Sequence, residues 1–222
     1  MRQLFHLWLH PASRAVRLAM AEKDLEFTLQ VEPVWERRAD FLALSPNGDV
    51  PLLLEEDGTA ISDGLAVLEY LEDAYPDPPL IDGPPADRAE IRRLVSWFHI
   101  KFQHEVTRHL VDEKVMKRFM GMGQPNTDAI RVGHHNLGYH LAYIDHLAER
   151  RSWLAGDGFS LADIVAATQF SCLDYLGDVP WDGHDHAKTW YARIKSRPTF
   201  RSILADRIGG LKPAEHYHDL DF

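Results

Sequence analysis

The sequence predicts an α/β domain followed by an all-α domain, and three observations carry that prediction. Over the first 75 residues the hydrophobic period switches repeatedly between strand-like and helix-like. Pro76, Pro78, Pro79, Pro84 and Pro85 then stop any helix. Beyond them apolar residues recur at helical spacing alone. The division is residues 1–75, a linker at 76–87, a helical domain at 88–208 and a C-terminal tail at 209–222.

Residues 4–9 read as a short buried strand. Residues 13–23 place Val16, Ala19 and Met20 on one helical face, with Arg14 and Arg17 on another. Residues 27–31 form a second strand, and two strands joined by a helix make a right-handed parallel βαβ unit. Residues 50–55 and 59–62 flank Asp57-Gly58, a two-residue turn signal for an antiparallel hairpin. Asp63 is placed to cap the next helix, whose buried stripe includes Val67, Tyr70 and Leu71. The order β-α-β-(α)-β-β-α is that of a thioredoxin-like domain.

The helical part begins with a long helix at 88–118, in which Ile91, Leu94, Val95, Phe98, Phe102, Val106 and Leu110 share a stripe. Trp97 lies about a third of a turn away and widens that apolar surface. Ile130, Leu137, Leu141, Ile144 and Ala148 mark a second helix, and Gly121, Gly123, Pro125 and Asn126 separate the two. Ser160 and Asp163 in "FSLADIVAA" form a capping box at the head of a buried helix, a structural device whose loss costs about 0.5–2 kcal/mol.

Composition excludes several classes of function. A formal charge of −10 argues against a nucleic-acid partner, because phosphate binding needs a basic surface. No apolar run reaches the roughly 18 residues of a spanning helix, and the opening "MRQLFHLWLHP" lacks a signal-peptide pattern. The single cysteine, Cys172, lies on an apolar stripe and fits a core position in a reducing compartment, so a cytoplasmic location is expected. The pairs His134-His135, His184-x-His186 and His216-x-His218 join no further ligands in a metal-binding spacing, so no metal is expected.

The combination of domains, linker and capping box resembles the cytosolic glutathione transferases. "SPNGDVPLLLEEDGTAISDGLAVLEYLEDAYP" is similar to the family's stretch around its cis-proline, and "WLAGDGFSLADI" and "SRPTFRSIL" to its helical signatures. The resemblance implies that Val50-Pro51 is a cis bond facing the cysteinyl part of glutathione. It also implies that Asp63-Gly64 stands where members carry a Glu-Ser pair that holds the γ-glutamyl carboxylate. His10 falls at the family's catalytic Ser or Cys position, with Ser13 one turn on. Activating a thiol of pKa about 8.5 takes about 1.4 kcal/mol of selective anion stabilisation per unit. With three elements weakened, the expectation is no catalysis and no cofactor. The alternative is a transferase that activates glutathione through His10 or Ser13.

A narrower resemblance runs end to end. "EPVWERRADFLALSPNGDVP", "RRLVSWFHIKFQHEVT", "DYLGDVPWDGHDHAKTWYARIKSRPTFR" and "KPAEHYHDLDF" look like a family of FtsZ-localised, glutathione-transferase-like proteins. That resemblance implies a non-catalytic homodimer, recruited to the division site, that binds FtsZ filaments and influences their curvature and constriction without inserting into the membrane. Trp35 reads equally as an exposed interface anchor or as a ring packed on the sheet. After Gly209-Gly210, which can flex, the ending Asp219-Leu220-Asp221-Phe222 suits docking into an apolar groove with a basic rim, the other reading being a frayed terminus.

Overall fold

In the computed structural model, which describes residues 1–220, β1 (Arg2–His6) is the central strand on which the sheet is built. It pairs in parallel with β2 (Phe27–Val31) and antiparallel with β3 (Leu52–Leu54). The latter pairs antiparallel with β4 (Ala60–Ser62), giving the order β2-β1-β3-β4. Asp221 and Phe222 lie outside the described residues.

β1 stops at His6, short of the run at 4–9, because the chain turns at Trp8-Leu9 to deliver His10 to the next helix. Pro11 opens that helix, α1 (Pro11–Glu22), two residues ahead of its expected start, where a missing N–H costs nothing. The hairpin turn is also longer than two residues: Glu55 and Thr59 still pair, and Gly58 supplies a φ of 90° in the three-residue loop between them.

Both faces of α1 are buried. Arg14 and Arg17 are not on a solvated side; they are 0% and 2% exposed, because α1 is sandwiched between the sheet and α7 (Leu161–Leu176). Arg14 donates to Trp8 O, Ser171 Oγ and Asp206 Oδ2, and Arg17 donates to both oxygens of Asp206 at 2.9 Å. Burying two guanidiniums is tolerable only with such partners, and the shared carboxylate ties the two domains together. One apolar core accordingly runs from Leu4, Val16 and Leu53 through Phe98 and Phe102 to Phe170, Tyr191 and Phe200.

α2 (Ala39–Leu44) buries Phe41 against Phe5, Val50 and Leu52 on the other face of the sheet. α3 (Gly64–Ala74) follows, buried through Val67, Leu68 and Leu71. Lys23 pins the linker by donating to Tyr75 O and Pro78 O while pairing with Glu72 at 2.7 Å. Helix α4 (Pro85–Ser96) starts inside the expected linker, again with a proline in its first turn. It continues without a break as a π-helical segment, Trp97–Met116, and ends in α5 (Lys117–Phe119). α6 (Thr127–Arg150) runs back along this rod.

The capping box at the head of α7 is formed, and Asp163 gathers more donors than the sequence suggested. Its carboxylate accepts from Ser160 N and Oγ, from Leu154 N and from Trp190 Nε1. Trp190 comes from α8 (Asp185–Lys195), so one cap also fixes a neighbouring helix. Cys172 is fully buried on α7.

Residues 209–218 are not a free tail. After α9 (Arg201–Leu204), Ile208 and Leu211 bridge across a turn in which Gly210 has a φ of 75°. Tyr217 is completely buried, its hydroxyl donating to Ile203 O, and Ala214 N donates to Tyr175 O. Beneath it the buried Lys195–Asp174 pair receives His216. Apolar burial of Tyr217 outweighs the flexibility that the paired glycines suggested.

Candidate functional site

A polar cleft opens where the α1 N-terminus, the loop before β3, the start of α3 and the π segment meet. Its inner pocket, of about 190 Å³, is lined by His10, Asp49, Val50, Asp63, Gly64 and His99 among others. An outer part, of about 480 Å³, adds Arg108, Asp112, Met116 and Met120.

His10 is the N-cap of α1. Its Nδ1 accepts from Ser13 N at 3.3 Å and from Ser13 Oγ at 3.0 Å, which leaves the proton of the neutral ring on Nε2. Burial holds its pKa below the ordinary histidine value, against the pull of Asp49 and with a push from His99. Burial therefore favours the neutral ring in the free protein. Ser13 is completely buried with its hydroxyl turned to His10, so it presents nothing to the cleft.

Val50-Pro51 is cis, as the resemblance implied. Asp63, at a φ of 82°, turns its Oδ1 onto Leu65 N and Ala66 N at 2.9 and 3.2 Å. Those N–H groups are the ones a helix start offers to a bound anion, and here an intramolecular carboxylate has taken them. Gly64 is enclosed: a Cβ there would lie 2.9 Å from Ala12 Cβ and 3.0 Å from His99 Cε1. The hydroxyl missing at this position has thus lost its space as well as its residue.

Glutathione carries two carboxylates and one ammonium group. The inner pocket offers it Asp49 and Asp63 and, among the described lining residues, no lysine or arginine. Arg108 and Lys117, the cations of the cleft, line only its outer part, so the inner pocket holds no cation for a carboxylate and no glutathione-dependent step is derived for it.

His99, Gln103 and Asp112, all of which line this cleft, were not singled out in the sequence; their signal is a polar stripe on the long helix, overshadowed by its apolar one. Asp112 is pushed up to about 6 by burial, with Glu113 and Asp49 adding and Arg108 opposing. Among the described residues no three His, Cys, Asp or Glu converge on a metal-sized site.

Trp35 lies outside this cleft. It sits in a short 3-10 turn, Val34–Glu36, half-buried and stacked on Phe119, with ring centroids 6.2 Å apart and planes at 9°. It packs against the cluster of Phe5, Leu7, Phe41, Val50 and Leu52 on the sheet and also meets the end of the long helix, so it is neither a bare interface anchor nor fully enclosed. Asp219 and Leu220 are exposed, and Leu220 is 39% accessible. They are not brought together with His10 or Asp63.

The fold and this altered site define the class. The glutathione S-transferase N-terminal domain family matches residues 11–74 and its C-terminal domain family residues 134–198. The chain belongs to the glutathione S-transferase family. Within it, the chain is 49% identical over 224 residues to FtsZ-localized protein A of Caulobacter vibrioides, covering 100% of this chain and 98% of that protein. A solved structure of FzlA from C. crescentus superimposes with a TM-score of 0.96 at 49% identity, covering 100% of this chain and 99% of that one. A glutathione S-transferase from Rhodospirillum rubrum F11 does so with a TM-score of 0.98 at 52% identity, each chain fully covered.

Proposed function

We propose that this protein is a non-catalytic glutathione-transferase-like protein that binds FtsZ filaments and regulates their curvature and constriction in bacterial cell division. The observation that carries the reading is the end-to-end similarity to FtsZ-localized protein A, which extends through the C-terminal residues. The enclosed Gly64, the self-capped Asp63 and the neutral His10 support the loss of glutathione chemistry.

The protein acts in the cytoplasm at the division site, without a nucleic-acid partner, and no helix among the described residues is long and apolar enough to cross a membrane. It works as a homodimer. Trp97, expected to widen the apolar surface of the long helix, is instead half-buried against Tyr143 and donates to His140 Nδ1, so Ile100 and Tyr139, 56% and 67% exposed, supply the apolar contact. Two copies of the filament-binding surface would add avidity without new contacts. Trp35, Asp219 and Leu220 form part of that surface, with Asp221 and Phe222 beyond the described residues.

The second reading, a glutathione transferase using His10, is favoured by the retained cis Val50-Pro51 bond and by the similarity to the R. rubrum protein. Co-sedimentation with polymerised FtsZ, run beside calorimetric titration with glutathione, separates the two.

A further inference from the structure

A second opening, of about 760 Å³, runs along the outer side of α8 beside the loop that precedes α7. Trp153, Lys188, Thr189, Arg193, Ser196 and Arg197 line it, and none of them lines the His10 cleft. Three cations therefore share one groove whose described lining holds no carboxylate, in a chain of net charge −10.

The two arginines are already held in place. Trp153 exchanges both backbone hydrogen bonds with Gly156 in a tight turn, and its ring meets Phe159 edge-on at 5.0 Å. The Arg193 guanidinium lies over Trp153 and the Arg197 guanidinium over Phe159, each 4.0 Å from the ring centroid. Arg193 also donates to Ser152 O at 2.7 Å, and Arg197 forks onto both oxygens of Glu22. After those bonds Arg193 Nε and Nη2 and Arg197 Nη1 find no acceptor among the described residues. Stacking and anchoring of this kind remove rotamer freedom that a long side chain otherwise loses on binding a ligand.

The balance of charge in the groove is positive. Glu22 offsets one cation, and the C-terminus of α8 adds roughly half a negative charge. Glu90 and Glu149 are engaged with Arg151 and Arg150, and neither they nor Asp157 or Asp185 line the groove. Guanidiniums four residues apart suit phosphate oxygens, which accept hydrogen bonds side by side. An extended polyanion, such as an anionic membrane or a nucleic acid, meets the repulsion of the whole negative surface, whereas a small anion needs only the groove.

We infer that this groove binds a small soluble anion carrying linked phosphate groups, which rest on Arg193, Arg197 and Lys188. The site stands independently of the FtsZ-binding reading.

The test titrates the full-length protein with sodium tripolyphosphate by calorimetry, with orthophosphate and citrate as comparison anions at matched ionic strength. The expected result is saturable binding at one site per chain, about tenfold or more tighter for tripolyphosphate than for either comparison anion, and weakening with added salt. Affinity falls about tenfold or more in Arg193→Gln and in Lys188→Gln, while Arg131→Gln, at the other end of α6 from Trp153, leaves it unchanged. Circular dichroism confirms that each variant is folded. Absence of saturable binding, equal binding of citrate, wild-type affinity in both groove variants, or an equal loss in Arg131→Gln would overturn the inference. So would a protein that ignores tripolyphosphate yet sediments with phosphatidylglycerol vesicles, or binds a labelled aspartate octapeptide, in an Arg193-dependent way. The groove would then receive a membrane or an acidic protein segment instead.

Discussion

His10 Nδ1 accepts from the backbone N–H of Ser13, so the residue at the family's catalytic position is a helix cap. Its replacement should behave accordingly. His10→Ala is expected to lower stability by about 0.5–2 kcal/mol, and His10→Asn, which keeps a capping acceptor, by much less. Neither should alter FtsZ co-sedimentation. Chemical denaturation of the three proteins checks this, and equal loss in both variants would contradict a capping role.

Gly64 cannot simply be returned to the family's serine. With Ala12 Cβ and His99 Cε1 within 3.0 Å of the new Cβ, Gly64→Ser is expected to cost about 1–3 kcal/mol. It should gain no glutathione affinity in calorimetry. A stable variant that binds the tripeptide would show that the space is more yielding than the packing indicates.

Asp112 provides a pH signature. Its carboxyl titrates at about 6 in the folded protein, above the ordinary carboxylate range, so the folded state holds the proton more tightly than the unfolded one. Its ionisation therefore removes stability as pH rises from about 4 through about 6. Asp112→Asn is expected to raise stability at pH 7 on the order of 1–2 kcal/mol, with the gain vanishing near pH 4. Thermal melts across that interval test it, and a gain independent of pH would point to a packing effect instead.

The C-terminal segment should separate into two behaviours. Tyr217 is fully buried, with its ring against Tyr175 at 5.0 Å, and Tyr217→Ala is expected to cost about 3–5 kcal/mol. Asp219 is exposed and favours the charge of the buried Lys195, so Asp219→Lys should cost about 0.5–1 kcal/mol, far less than Tyr217→Ala. The same substitution should strongly reduce co-sedimentation with FtsZ. Normal co-sedimentation of Asp219→Lys would remove the C-terminal residues from the filament-binding surface.

Much of this was legible in the sequence because it rests on local signals. The βαβ unit, the Asp63 cap and the Ser160–Asp163 box each follow from spacing and residue type, and all are present. The resemblance carried the fold, the cis bond and the position of His10. What was hidden depends on contacts remote in sequence. Arg14 and Arg17 look like a solvated face until Asp206, some 190 positions on, is brought beneath them. Trp35 could not be placed without Phe119, and the glycine pair at 209–210 gave no hint that Tyr217 anchors the segment behind it. The closing of the inner pocket on Gly64 is likewise invisible in the chain, since Ala12 and His99 come from two other helices.

The most direct measurement is co-sedimentation of the wild-type protein with GTP-polymerised FtsZ, with glutathione calorimetry on the same preparation. The account expects the protein in the filament pellet and no glutathione binding tighter than about 1 mM, which corresponds to about −4.1 kcal/mol. A protein left in the supernatant that binds glutathione well below that concentration would contradict it.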